Sequence, residues 1–475
     1  MTSQLGLVTL VEVFVDDFIA ATNNKNLGHI THVSHSMLHG VHKISPPTSI
    51  TGHNGADPIS EGKLDKGEGT WNTLKEILGW EINGIDYTIN LPITKVIVIT
   101  KMIKKLLKAE RTSLQKFQKL AGKLQHASYG MPGGVGLFSP IQMAMKGNPN
   151  FIILTPELKH ILDDWRFMIR LMESSPTSVL QLVTNYPDYV GYSDACGIGV
   201  GGCWTSGLKH LYPFLWQYEW PPDIKASLIT EHNPDGSLTI NDLELAGAVI
   251  NFMVLESQNI NLKFHHIGTF CDNTSAVSWA YRLRNSTSRI AGRLLRVLSL
   301  RIHAKQASSL VPLNIAGEEN VMADVVSRAF KSGKFFHASG NLTNYFDAHF
   351  PLPQKQFWQE YQLPKKLISL VIASLRGELL PMELLLKQVK HNKNIGNCGV
   401  TMPPNAELTP SSATSHHWNE TQSSAHLLGG SGQASSVAEL KSKFRASRMH
   451  SRPSPRPSNW LDNEVPYTGR RKNTT

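Results

Sequence analysis

Apolar residues in this chain follow two different periods. Near the start, Val11-Glu12-Val13-Phe14-Val15 is a β-rich run, and Phe18-Ile19-Ala20 resumes it after Asp16-Asp17. From Lys95 to Lys123 the period lengthens. Ile99, Ile103 and Leu106 recur at helical spacing, which predicts helices with one buried face. Leu91-Pro92 opens the first helix, with proline in its first turn. A second runs from Leu114 to Tyr129, and Pro132-Gly133-Gly134 breaks the pattern after it. Before these helices lies a hairpin over Leu74 to Ile82, with Asn83-Gly84 expected as a turn. A turn-rich insert spans Ser45 to Thr70, marked by Pro46-Pro47, Asn54-Gly55 and Asp57-Pro58. Loops of that length are usually functional or disordered.

Residues 185–330 read as a regular α/β unit. Tyr189 to Asp194 is a strand ending on an acid, and Gly197 to Trp204 is a glycine-rich second strand. Pro213 to Trp220 is a third. Asn241 or Asp242 then caps a helix through Leu255, with Glu244 expected in its first turn. Phe264 to Phe270 is a fourth strand, with Asp272 just past its end. Two helices follow, then a strand over Leu310 to Ile315, and last a helix from Glu319 to Phe330 that carries Asp324.

Composition narrows the class. The 475 residues suggest two to four domains, and 41% hydrophobic content excludes a wholly disordered or collagen-like chain. Four scattered cysteines provide neither a disulfide framework nor a zinc-ligand pattern. No run of 18 apolar residues escapes a charge or a Gly/Pro break, and no secretory leader is visible. The expectation is an intracellular protein, cytoplasmic or nuclear, with no membrane partner and no secretion. Residues 401–475, rich in Ser, Pro, Asn, Gly and Thr, read as a disordered tail, and 441–475 hold nine Lys/Arg against two acids.

The net charge of +10 suits a phosphate-rich partner, and much of it is concentrated. Lys95 to Lys123 hold nine basic residues, Lys101, Lys104, Lys105 and Lys108 among them, against Glu110 alone. Tyr281 to Lys305 hold seven cations and no acid, and Arg289, Arg293 and Arg296 repeat at helical spacing as one stripe. Phosphate contact is one use for such faces and simple solvation is the other. Adjacent acids such as Asp16-Asp17 suit a hard divalent cation at a hairpin tip, or form an ordinary Asp-rich turn.

Phe14-Val15-Asp16-Asp17 resembles the (Tyr/Phe)-x-Asp-Asp motif of reverse transcriptases, whose aspartates belong to the metal site of the palm. The hairpin with Leu78-Gly79, the basic helices and the Pro-Gly-Gly break are similar, in order, to the primer-gripping hairpin, thumb and connection of retrotransposon enzymes. Farther along, Tyr-Ser-Asp-Ala (192–195), Leu-Glu-Leu-Ala (243–246), Cys-Asp-Asn (271–273) and Asn-Val-Met-Ala-Asp-Val-Val-Ser-Arg (320–328) resemble retroelement ribonuclease H segments. Three strands, a helix, a strand, helices, a strand and a closing helix is that family's element order.

The resemblance implies a multidomain fold of α/β and α+β type. Its parts are a truncated reverse-transcriptase palm (1–90), a thumb and connection (91–180), a mixed-sheet ribonuclease H-like domain (185–330), a helical linker (331–400) and the basic tail (401–475). It implies catalytic metal ligands Asp194, Glu244, Asp272 and Asp324, with Asp16 and Asp17 as ligands of the palm. The implied cofactor is Mg²⁺, with Mn²⁺ as a substitute, and the implied reaction is two-metal hydrolysis of RNA in an RNA–DNA hybrid. Implied partners are the hybrid, a primer/template duplex held by Lys101, Lys104, Lys105, Lys108, Arg289, Arg293 and Arg296, and other segments of a retroelement polyprotein. Only 15 residues precede Asp16, so the earlier palm strand and the fingers are expected to be missing and polymerisation by the chain alone is not expected. A non-catalytic nucleic-acid-binding relic, or a polymerase completed by an upstream segment, are the alternatives. The loop at Ile315 to Glu319 also lacks the histidine that many relatives place there.

Overall fold

The computed structural model describes residues 9–14, 17–22, 26–44, 61–183, 186–206, 213–258, 260–284, 288–331, 341–352 and 356–386. Asp16, most of the turn-rich insert and the expected basic tail lie outside the described residues. The chain forms two compact units, Met1–Pro92 and Ile93–Thr475. Both α-helices and β-sheets occur, so the protein is a mixed α/β multidomain chain.

In the first unit, β1 (Thr9–Phe14) and β2 (Asp17–Thr22) pair antiparallel, with Phe14 opposite Asp17. Helix α1 (Leu27–Ile44) follows, and the indole of Trp71 donates to Ser34 Oγ at 2.8 Å. A meander of β3 (Leu74–Ile77), β4 (Trp80–Asn83) and β5 (Thr88–Asn90) completes the unit. The tight turn is not at Asn83-Gly84. It lies at Leu78-Gly79, where φ is 49° and 77°, and Ile77 pairs with Trp80 across it. Positive φ at both central positions is the type I′ turn, whose twist matches that of the flanking strands. Asn83 instead opens the wider β4–β5 connection, its side-chain oxygen accepting from the Ile85 and Asp86 amides.

The second unit begins with α2 (Ile93–Leu107), β6 (Arg111–Ser113), α3 (Leu114–Tyr129), β7 (Phe151–Ile153) and α4 (Pro156–Ser174). Val96, Ile99, Ile103 and Leu106 form the buried stripe of α2, as their spacing predicts. Its centre is a six-stranded sheet with order β12-β11-β8-β9-β10-β13. The strands are β8 (Tyr189–Ala195), β9 (Gly199–Ser206), β10 (Phe214–Glu219), β11 (His266–Cys271), β12 (Ser309–Asn314) and β13 (Gln359–Glu360). Strands β8, β11 and β12 are mutually parallel, whereas β9 runs antiparallel to β8 and β10.

Helix α5 (Ile240–Ser257) crosses this sheet and is buried almost all round, which suits its nearly unbroken apolar sequence. Its cap is neither Asn241 nor Asp242. Thr239 accepts from the Asp242 amide while Asp242 accepts from the Thr239 amide, a capping box. Glu244 therefore sits one turn deeper than expected. Then come α6 (Thr274–Arg282), α7 (Arg289–Ala304) and α8 (Val321–Arg328).

Expected boundaries inside this unit do not separate it. The break after α3 packs against α7 so closely that a Cβ on Gly136 would lie 1.9 Å from Ser299 Oγ. The described residues of the stretch expected as a helical linker, 341–352 and 356–386, belong to the same body. They contribute α9 (Leu342–His349), β13 and α10 (Lys365–Leu375). Strand β13 pairs parallel with β10 and covers a sheet edge. Phe346 and Trp358 join Cys203, Leu215 and Val326 in one buried cluster. Each such large side chain contributes about 1.5–3 kcal/mol on burial.

Candidate metal centre

Strands β8 and β11 are adjacent and parallel, with Tyr192 opposite Phe270. Continuing that register by two residues sets Asp194 level with Asp272. The carboxyl ends of neighbouring parallel strands leave a crevice in open sheets, and side chains there converge. Asp194 lies in β8 and Asp272 just beyond β11, while Glu244 comes from the second turn of α5 and Asp324 from α8. Four elements distant in sequence thus direct acids to one end of the sheet.

The electrostatics record this convergence. Burial pushes the Asp194 carboxyl up to about 6, and repulsion from Asp272 and Asp324 adds to it against a Ser327 hydrogen bond. Glu244 is pushed well above the ordinary carboxylate range by burial, then by Asp194 and Asp272. Asp272 is raised by burial and by Asp324. Asp324 is more open and pairs with Arg328 at 2.5 Å, one turn along α8. Arg328 offsets this repulsion at Asp194 and Asp272 only in part, and a bound cation would relieve the rest.

Glu244, Cys271 and Asp272 offer ligand atoms that all lie within 4.8 Å of one another. The thiol of Cys271 donates to Glu244 Oε2 at 3.6 Å, and burial pushes its pKa well up. A protonated thiol is a poor ligand for a hard cation, whereas carboxylate oxygens suit Mg²⁺ and Mn²⁺. The donor set therefore fits a hard divalent ion held by the acids. Cys271, Ser327 and Arg328 are the neighbours that sequence reading left without a role. Ser327 and Arg328 stand inside the stretch at 320–328, but nothing in their spacing says which carboxylate they meet.

Of the expected palm ligands, Asp16 lies outside the described residues. Asp17 opens β2, and its side chain lies outside them too. Lys101, Lys104, Lys105 and Lys108 are all exposed, and none has an ion-pair partner among the described residues. Lys116, Lys119 and Lys123 on α3 are likewise exposed.

The arginine stripe is a correction. Arg289 is exposed. Arg296, however, is 3% exposed and grips Asp164 of α4 with two hydrogen bonds of 2.5 and 3.0 Å, while a third reaches the Leu380 carbonyl. Arg293 lies 3.5 Å from Glu157, and Arg301 pairs with Glu256 at 2.7 Å. The acids missing from 281–305 are supplied by α4 and α5. Arg296 is thus a structural cation with no path to a phosphate.

No family model matches the sequence, and no curated protein does. Among solved structures, a match is the foamy viral protease-reverse transcriptase dRH in complex with double-stranded DNA. Identity is 12% and the TM-score 0.21, and the match covers 42% of this chain and 31% of that one. So low a TM-score does not establish a shared fold. Among the described residues, no helix is long and apolar enough to cross a membrane.

Proposed function

We propose that this chain is a divalent-metal-dependent nuclease of the ribonuclease H class, cutting the RNA strand of an RNA–DNA hybrid. One observation carries the reading: Asp194, Glu244, Asp272 and Asp324 converge from four elements at the carboxyl ends of parallel strands, where burial and the neighbouring carboxylates raise the proton affinity of Asp194, Glu244 and Asp272. The mixed sheet and the element order support it. The choice of RNA in a hybrid rests on the resemblance of the four motifs.

Asp194, Glu244, Asp272 and Asp324 would hold Mg²⁺ or Mn²⁺, which when bound generates the hydroxide nucleophile and stabilises the leaving 3′ oxygen. The chain's own groups prepare that site. Glu244 and Asp194 are buried, so once they ionise against a bound cation their charge would be little screened by water. Arg328 holds the more exposed Asp324 in place from one turn along the helix. Exposed Lys101, Lys104, Lys105 and Lys108, with exposed Arg289, are proposed to contact the phosphates of hybrid or duplex.

The full chain, a labelled RNA–DNA hybrid and Mg²⁺ provide the test. Asp272→Asn is expected to abolish cleavage while leaving hybrid binding in place, and equal cleavage by wild type and variant overturns the reading. The unpaired lysines favour one second reading, a protein that binds nucleic acid without cutting it. Salt-sensitive binding with no Mg²⁺-dependent cleavage would select it. For the first unit, Asp16 and Asp17 remain proposed ligands of a reverse-transcriptase palm that needs a further aspartate-bearing strand to polymerise.

A further inference from the structure

Helix α8 lies unusually close to the sheet. Gly201 of β9 stands opposite Asp194 of β8, and a Cβ on Gly201 would fall 2.5 Å from Val326 Cγ1 and 2.8 Å from the Ser327 amide nitrogen. Only glycine leaves room for the helix there. The approach lets Ser327, which has no exposed surface, reach across to Asp194 Oδ2 at 2.5 Å. The same hydroxyl lies 3.1 Å from the Asp324 carbonyl. A hydroxyl has one proton, and the shorter contact to a charged oxygen is the stronger claim on it. At the other end of α8, the Asn320 amide donates to the Ser193 carbonyl at 3.2 Å. The helix that carries Asp324 is therefore fastened to the strand that carries Asp194 at both ends.

We propose that Ser327 is a positioning residue: by donating to Oδ2 it fixes the Asp194 carboxylate so that Oδ1 alone is offered to a cation, and it ties Asp194 and Asp324 into one unit. A carboxylate free to rotate would lose that preset direction. Ligating carboxylates held by hydrogen bonds bind metal more tightly, and removing such a partner costs about 10–100-fold in affinity. The inference rests on the proposed metal-dependent reading for the cation, but not on any cleavage step.

Mn²⁺ binding to the full chain, followed by the electron paramagnetic resonance signal of free Mn²⁺, tests it without reference to activity. Ser327→Ala removes only the hydroxyl and is expected to weaken Mn²⁺ binding about tenfold, the low end of that range. Its melting temperature should stay within a few degrees of wild type. Ser327→Cys keeps the volume but donates weakly, so it should group with the alanine variant. Ser299→Ala, another fully buried serine whose hydroxyl contacts the α3–α7 packing and not the acids, should bind Mn²⁺ as wild type does. Wild-type affinity in either Ser327 variant overturns the positioning role while leaving the metal-dependent reading intact. Absence of Mn²⁺ binding in wild type overturns both.

Discussion

Two helical stretches of the second unit look alike on paper, and the fold treats them differently. Residues 281–305 hold seven cations and no acid, and residues 95–123 hold nine against one. On α7 Arg289 alone stays exposed, and the other arginines turn inward: Arg296 meets Asp164, Arg301 meets Glu256 and Arg293 approaches Glu157. On α2 and α3, Lys101, Lys104, Lys105, Lys116, Lys119 and Lys123 stand in water without ion-pair partners among the described residues. Helix α7 is enclosed, since almost every residue from Leu294 to His303 is buried, whereas α2 buries one stripe alone. Chemistry sharpens the division. A planar guanidinium suits a buried two-pronged carboxylate contact, while an ammonium keeps its hydration and stays outside. An excess of positive charge read along one segment is therefore not yet a surface; the acids that cancel it come from elsewhere.

The largest expected effect follows from the enclosed side. Arg296→Ala strands Asp164, a buried carboxyl that desolvation already pushes up despite its arginine partner. The loss should be about 3–5 kcal/mol in chemical denaturation of the full chain. Lys104→Ala should stay within about 0.5 kcal/mol, and equal costs for the two would erase the contrast between the helices.

The exposed side is probed by affinity. Replacing Lys101, Lys104, Lys105 and Lys108 together with glutamine should leave the melting temperature unchanged and flatten the salt dependence of hybrid binding. With about 0.9 in slope per phosphate contact, the plot of log affinity against log salt should lose roughly 3–4 units. An unchanged slope would mean these lysines are merely solvated.

The smallest effect is a pH dependence from the buried face of α7. His303 contacts the Met168 carbonyl at 3.1 Å, and burial lowers its pKa below the ordinary 6.5. As pH falls, the unfolded chain takes up this proton first. Stability is thus complete above pH 6.5 and is lost progressively below it. In His303→Gln that component of the acid loss should vanish. A variant whose stability falls between pH 7 and pH 5 as steeply as wild type, the two pH values being about the histidine range, would contradict it.

Local pattern went far in this protein. The helix over Leu114–Tyr129 has the bounds its spacing predicts, and the strands around Asp194 and Asp272 differ from expectation by a residue or two. Sequence reading was misled where several local choices were each acceptable. Asn83-Gly84 is a good turn dipeptide, yet Leu78-Gly79 takes the tight turn because cross-strand pairing of Ile77 with Trp80 sets the register. Thr239, not a neighbour two residues on, caps α5 because Asp242 can answer it. Nothing in the short Gln359-Glu360 pair announces a strand, and it becomes one only because β10 presents an open edge.

What the sequence determined by itself is what backbone sterics and hydrogen bonding decide within a few residues: the type and order of the elements, and the placement of Asp194 and Asp272 near strand ends with Glu244 and Asp324 on helices. Tertiary structure decided everything that depends on meeting a distant partner. It brought those acids to one end of one sheet, set Ser327 against Asp194 across 133 positions, and hid Arg296 against Asp164 across 132. Burial and pairing are properties of the assembled interior, where the low dielectric makes each unmatched charge costly. The chain alone carries no record of which cation that interior will claim and which it will leave in water.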